Sequence, residues 1–274
     1  MVHRGVIDNI LTIDAFNEEY YKNGKSQQEL ANEYSVSQTT ISSFMKKHSL
    51  GALSKTRNIG LPTYSHNKTL FDTISEKDCW ILGWILSDGC IVDNSIVFNL
   101  ANKDLEVLIK IKDYFEYTGP IYEHKTKLNG KIHVGNKLKI RSHELVNKII
   151  NIGINKNKSL NEIYPKKILD LDIGCNRQFI KGIFEGDGSI MDIKSPCFQI
   201  VGTKELLTDI QNILVSELDL KFTKLTNNVV GKNHYALRYR GKFNAMNVMD
   251  WIYKDSNYHL DRKYNKYLLF KENI

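Results

Sequence analysis

Two segments constrain the fold of this chain more than any other feature. "WILGWILSDG" spans residues 80–89 and "FIKGIFEGDG" spans 179–188, so the two copies lie 99 positions apart. Each reads as an apolar helix with small residues four apart: Gly83 and Ser87 in one, Gly182 and Gly186 in the other. Residues at that spacing share a helix face. A strip of small residues lets another backbone approach closely. Large apolar side chains flank each strip, Trp84 and Ile85 in the first and Ile183 and Phe184 in the second. The expectation is that these helices pack on each other. Gly89 and Gly188 are expected to end them in the left-handed conformation. Asp88 and Asp187 would then sit side by side at one end of the pair.

That placement is costly without a partner. A carboxylate at a helix C-terminus opposes the helix dipole, and two carboxylates together repel. Divalent cations remove both penalties. Mg²⁺ takes carboxylates together with waters and phosphate oxygens. Two ions, or ions shared between the acids, activate a water and stabilise a leaving oxygen.

The surroundings repeat as well. The first Asp-Gly is followed by a strand, "SIVFNLANKD", and an amphipathic helix, "LEVLIKIKDYF". The second is followed by "CFQIVGTKE" and "LLTDIQNILVSEL". "GPIYEHKTKL" and "KIHVGNKLKIR" are joined at Asn129-Gly130, a strong hairpin signal. "LKFTKLTNNVVGKNHYALRYRG" offers the strands of the second half, with Lys221 and Lys224 in its first part. A helix closes each half, "SHELVNKIINIG" or "KFNAMNVMDWIYK". Arg141 and Arg240 keep the 99-residue separation. A repeat this long is not a solenoid unit and fits a pseudo-twofold pair of subdomains. Strand alternation places Lys125 with Lys127 on one face, and Lys137, Lys139 and Arg141 on one face. Arg238 and Arg240 face opposite to Leu237 and Tyr239. Sheets with one basic and one apolar face suit a duplex lying across them.

On these residues the chain resembles the LAGLIDADG homing endonucleases. "ILGWILSDG" (81–89) and "IKGIFEGDG" (180–188) are similar to two copies of the family signature, and the resemblance covers roughly residues 73–274. It implies an α+β fold of two pseudo-symmetric αββαββα-like subdomains, 73–172 and 173–274, whose strands form a saddle over duplex DNA. It also implies cleavage of both strands with Mg²⁺, or another divalent cation such as Mn²⁺, leaving short 3′ overhangs. Asp88 and Asp187 inherit the metal-ligand role, with the carbonyls of Ser87 and Gly186 assisting. The family places a basic residue near each site. Lys158 and Lys263, which follow the last helix of each repeat, match each other, with Lys156, Lys166 and Lys266 as nearby alternatives. Asn99 and Gln199, after Phe98 and Phe198, are candidates for holding water near the metal or are ordinary strand residues. Leu86 departs from the signature, standing where Glu185 supplies an acid in the second copy.

Residues 1–50 read as a separate all-α module. Ser26 and Glu29 form a capping box, and Ser37 caps a second helix with Ile41, Phe44 and Met45 inward. Gln38, Thr39, Thr40, Ser43, Lys46 and Lys47 face outward. The pattern resembles a helix-turn-helix of the resolvase and sigma-like kind, which implies base and phosphate contacts; a plain helical bundle is the alternative. Residues 51–72 read as a linker, with Lys55 and Arg57 placed to follow a DNA backbone. The net charge of +7 and pI near 9.0 favour a polyanionic partner. Four cysteines without a C-x-x-C pair suggest reduced thiols, in a bacterial or phage-infected cytoplasm or an organellar matrix. No signal peptide or membrane span is evident. A monomer is expected, because both acids lie in one chain. An RNA maturase acting on intron RNA and a non-cleaving regulator are the alternatives, though regulators of this kind usually lose the acids. An intein is not expected, because no splicing residue opens the chain.

Overall fold

The computed structural model describes residues 7–23, 25–51, 64–128, 130–156, 158, 160–191 and 196–272. The chain divides into two compact units at Thr63/Tyr64. The first unit contains α1 (Ile13–Phe16), which continues as a π-helical stretch Asn17–Lys22, then α2 (Gln27–Glu33) and α3 (Gln38–Lys47). The Ser26–Glu29 capping box forms in both directions, and the Ser37 hydroxyl accepts from the Thr40 amide at 3.2 Å. Leu30, Ala31, Ile41, Phe44 and Met45 are buried against Phe16 and Tyr20.

The second unit begins with Tyr64, so residues 64–72 of the expected linker are part of the fold. Tyr64 packs edge-on against Tyr117, and the Asn67 amide donates to the Phe115 carbonyl at 2.9 Å. The first repeat runs α4 (Glu76–Leu86), β1 (Gly89–Val92), β2 (Ser95–Ala101), α5 (Leu105–Tyr114), β3 (Tyr122–Leu128), β4 (Lys131–Arg141) and α6 (His143–Ile152). A short α7 (Lys166–Leu169) leads to the second repeat: α8 (Ile173–Asp187), β5 (Gly188–Met191), β6 (Cys197–Gly202), α9 (Lys204–Leu218), β7 (Thr226–Asn227), β8 (Tyr235–Arg240) and α10 (Lys242–Ile252). A final helix, α11 (Asp261–Glu272), has no counterpart in the sequence reading. Both sheets are antiparallel with matching strand orders, β1-β2-β4-β3 and β5-β6-β8-β7. All four cysteines are free, and no helix among the described residues is long and apolar enough to cross a membrane.

α4 and α8 form the centre, and their glycines are why they fit. A Cβ on Gly83 would lie 2.3 Å from the Phe179 carbonyl oxygen and 2.9 Å from the Gly182 Cα. A Cβ on Gly182 would lie 2.3 Å from the Trp80 carbonyl oxygen. Backbone therefore touches backbone, as the small-residue strips predict. One helical turn further along, a Cβ on Gly186 would meet the Ser87 Oγ at 2.1 Å. Each sheet packs its apolar face around this pair: Ile96, Phe98 and Leu138 on one side, Phe198, Ile200 and Leu237 on the other, all fully buried.

The two terminal glycines have a different reason from the one expected. Gly188 is extended (φ −91°, ψ 169°), and Gly89 is not among the positive-φ residues. Both open a strand directly. What excludes a side chain is space: a Cβ on Gly89 would meet the Ile85 Cα at 2.7 Å, and one on Gly188 would meet the Phe184 carbonyl oxygen at 2.5 Å. Gly182→Ala should destabilise the second unit by about 1–3 kcal/mol through overpacking. Gly51→Ala, where nothing lies within 4 Å of the added atom, should stay within about 0.5 kcal/mol in the same denaturant titration.

Candidate active site between the two repeats

α4 ends at Leu86 and is capped by Ser87, whose hydroxyl donates back to the Gly83 carbonyl at 3.1 Å. α8 runs two residues further, through Asp187. Asp88 and Asp187 stand where the two helices end, each at the start of a strand. Among the described residues neither carboxylate accepts a hydrogen bond or joins an ion pair. Both side chains reach solvent, but protein surrounds them on most sides. That surrounding protein, and then Asp88, push the Asp187 carboxyl up to about 6, against the pull of Lys158 and Lys263. The Asp88 carboxyl is raised too, chiefly by its surroundings, with the same lysines opposing.

Both matched lysines reach the last turns of these helices. Lys158 Nζ donates to the carbonyls of Leu86 and, at 2.6 Å, Ser87. Lys263 Nζ donates to the carbonyls of Phe184 at 2.7 Å, Gly186 at 3.2 Å and Gly188 at 2.5 Å. An ammonium has three donors. Lys263 therefore has all its donors engaged, whereas Lys158 keeps one. Each cation caps a helix C-terminus and offsets the dipole beside its acid. Burial lowers both amines, Lys263 to about 8. The lysines arrive from unlike elements: Lys158 from the segment after α6, Lys263 from α11. Lys266 reaches the Ile190 carbonyl at 2.6 Å instead, and Lys156 and Lys166 are exposed.

The expected equivalence of Asn99 and Gln199 does not hold. Gly89 pairs with Phe98, but Gly188 pairs with Ile200. Ser95 pairs with Arg141 and Cys197 with Arg240. In register, Phe98 therefore corresponds to Ile200, Asn99 to Val201, and Gln199 to Val97. The cause is the hairpin before the strand: Val92 pairs with Ser95, whereas Met191 pairs with Cys197 across a longer connection. Asn99 is exposed beside the Asp88 end of its sheet. Gln199 is displaced along its strand, and its Oε1 accepts from Arg238 Nε at 2.5 Å.

The two acids also have unlike neighbours that the sequence did not single out. On the Asp187 side, a cavity of about 240 Å³ is lined by Ser87, Lys158, Glu162, Asp187, Asn233 and His234 among others. The Glu162 carboxylate has no partner among the described residues, and the His234 Nδ1 is buried without one. Arg262, whose charge acts on Asp88, pairs with Asp104 through Nε at 2.9 Å and Nη2 at 3.2 Å. Glu185, the acid that Leu86 replaces in the first copy, points away from the site. It is buried and accepts from Trp80 Nε1 at 2.7 Å.

The strand cations are only partly gathered. Lys137, Lys139 and Arg141 share the outward face of the first sheet, where Asn99 also lies, and Arg238 and Arg240 share that of the second. Lys125 pairs with Val134, which puts it on the opposite face from Lys137, and it meets Glu123 at 3.1 Å. Lys127 has the same backbone parity, and its side chain lies outside the described residues. Lys221 and Lys224 are exposed and precede the two-residue β7 rather than lying in a strand. In the first unit, Gln38, Thr39, Ser43 and Lys46 are exposed and Thr40 is half-buried. Lys47 is paired with Asp8 at 2.6 Å. Lys55 and Arg57 lie outside the described residues.

No protein-family model matches the chain, and no curated protein sequence is similar to it. Solved structures are similar in fold. The homing endonuclease I-WcaI bound to its DNA recognition sequence is 16% identical, with a TM-score of 0.52 over 81% of this chain and 97% of that one. The meganuclease I-SmaMI bound to uncleavable DNA is 15% identical, with a TM-score of 0.48 over 72% of this chain and 90% of that one. The N-terminal LAGLIDADG domain of DUF199/WhiA is 15% identical, with a TM-score of 0.44 over 68% and 88%. The chain has the LAGLIDADG homing endonuclease fold, with two antiparallel sheets flanking a central helix pair.

Lys263→Met would remove the ammonium donor from the carbonyls of Phe184, Gly186 and Gly188, of which Phe184 keeps the Gly188 amide; each buried group left unsatisfied costs about 1–3 kcal/mol, and Lys263 is buried whereas Lys158 is half-buried. Chemical denaturation should therefore show a larger loss for Lys263→Met than for Lys158→Met.

Proposed function

We propose that the chain is a site-specific endonuclease that cuts both strands of double-stranded DNA with a divalent cation, Mg²⁺ or Mn²⁺, at Asp88 and Asp187. The observation that carries this reading is the pair of unpartnered carboxylates at the ends of two crossing helices, between sheets with cationic outward faces. Carboxylate oxygens without a protein donor suit a hard cation. The Ser87 and Gly186 carbonyls fit it less well, since lysines already occupy them. A bound cation would supply a polarised phosphoryl oxygen and a water of lowered pKa.

The chain's own residues supply the rest. Each aspartate serves one strand, so one chain suffices for both cuts. The short 3′ overhangs are taken from the resemblance of the two signatures to the LAGLIDADG endonucleases. Lys158, with a donor still available, faces the phosphoryl oxygen or attacking water, and Lys263 holds its helix end in place. Lys137, Lys139, Arg141, Arg238 and Arg240 hold the duplex against the sheets. The first unit adds contacts through Gln38, Thr39, Ser43 and Lys46, in the manner of a helix-turn-helix, and lengthens the recognised site.

The test is end-sequencing of genomic DNA treated with the purified chain and Mg²⁺. Recurrent breaks with short 3′ overhangs are expected, and Asp187→Asn should abolish double-strand breaks while DNA binding survives. Salt-sensitive binding to DNA without breaks would indicate a regulator, and preferential binding to an intron RNA would indicate a maturase. A pH effect follows from the raised Asp187 carboxyl. Its proton is held below about pH 6 in the cation-free chain and must leave when a cation binds. Cation affinity should therefore rise as pH passes upward through about 6, with proton release in calorimetry that Asp187→Asn reduces.

A further inference from the structure

We propose that Arg238 is a base-reading residue of the second sheet, fixed by Gln199 and Asn228 so that its guanidinium recognises a guanine edge. The inference rests on the reading above that duplex DNA lies against this sheet.

Arg238 lies on the outward face of β8, directly opposite Gln199 on β6. Its Nε donates to Gln199 Oε1 at 2.5 Å, and its Nη2 donates to Asn228 Oδ1 at 3.3 Å. A guanidinium carries five N–H donors in a rigid plane. These two bonds engage Nε and one N–H of Nη2. Nη1 and the second N–H of Nη2 have no partner among the described residues, which leaves a two-pronged fork. That fork is the group that matches guanine O6 and N7 in the major groove. Arg238 also has no carboxylate partner, so nothing in the described structure competes for it.

Fixation is what separates a reader from a general cation. A free lysine or arginine meets phosphates in many geometries and carries no sequence information. An arginine already held in one plane loses less rotamer freedom on binding and demands an acceptor pair at one place. The first sheet supplies the contrast. In register, Lys139 occupies the place of Arg238 and Val97 that of Gln199. Lys139 is exposed and has no fixing partner among the described residues. The two halves therefore differ at this point: a held fork in one and an exposed, unheld point charge in the other.

The experiment is selection of bound duplexes from a randomised library, in chelator so that no strand is cut, with the full chain and its Arg238→Lys, Arg238→Ala, Gln199→Leu and Lys139→Ala variants. The wild-type chain should enrich a sequence with a guanine at one position. Arg238→Lys, which keeps the charge but loses the fork, should lower the preference at that position by about 5- to 150-fold and leave the others intact. Gln199→Leu, which keeps the arginine, should lose part of the same preference. Lys139→Ala should weaken all sequences alike and reduce the salt slope by about one. The proposal is overturned if Arg238→Lys leaves every base preference unchanged, or if Arg238→Ala weakens all sequences uniformly with a reduced salt slope, which marks a phosphate contact. If the wild-type chain enriches no duplex at all, the DNA reading falls and this inference falls with it. An enriched sequence without an Arg238-dependent guanine overturns the inference alone.

Discussion

Everything in the second unit is arranged around the backbone contact at Gly83 and Gly182. Two helices this close cannot carry side chains at their crossing, and the added atoms would lie inside van der Waals distance of carbonyl oxygens. The closeness brings the helix ends together, and with them Asp88 and Asp187. Their separation is thus set by main-chain contact and not by flexible side chains. The sheets follow, because Gly89 and Gly188 start strands with no intervening turn. One steric constraint therefore fixes the acids, the direction of both sheets and the side on which the cationic faces lie.

The electrostatics of the site follow from that geometry. Two carboxylates at helix C-termini are opposed by the dipoles, by each other and by the surrounding protein. The chain answers with Lys158 and Lys263, whose amines bind the very carbonyls that carry the negative end of the dipoles. Neither lysine forms an ion pair with an aspartate. The carboxylates are thereby left with raised affinity for protons and with no hydrogen-bond donor among the described residues. This is the condition in which a cation gains most from binding.

Much of this was legible in the sequence. Helical spacing and the glycine strips gave the central pair, the Asn129-Gly130 signal marked the hairpin, and Ser26 and Ser37 marked the helix starts in the first unit. The failures have physical causes. β1 and β5 are four residues each, too short for periodicity to register. At Gly89 and Gly188 the sequence suggests a left-handed helix end, whereas the constraint is tertiary crowding by Ile85 and Phe184. Asn99 and Gln199 were paired by their phenylalanines, but the longer connection after Met191 moves the second strand along its neighbour. Glu162, His234 and the Asp104–Arg262 pair gave no local signal, because their place beside the acids depends on chain segments far apart in sequence.

The Trp80–Glu185 hydrogen bond makes the two halves unequal partners. Helix pairs of this kind are equally consistent with two identical halves meeting as a homodimer. Here the donor belongs to one half and the buried acceptor to the other. Two copies of the second half would face each other with a pair of buried carboxylates and no indole N–H to meet them. Two copies of the first would bury an indole donor with no acceptor. Each half has thus become a ligand for the other and a poor partner for itself. Cut into two separate chains, the halves would each need the other to satisfy this buried bond.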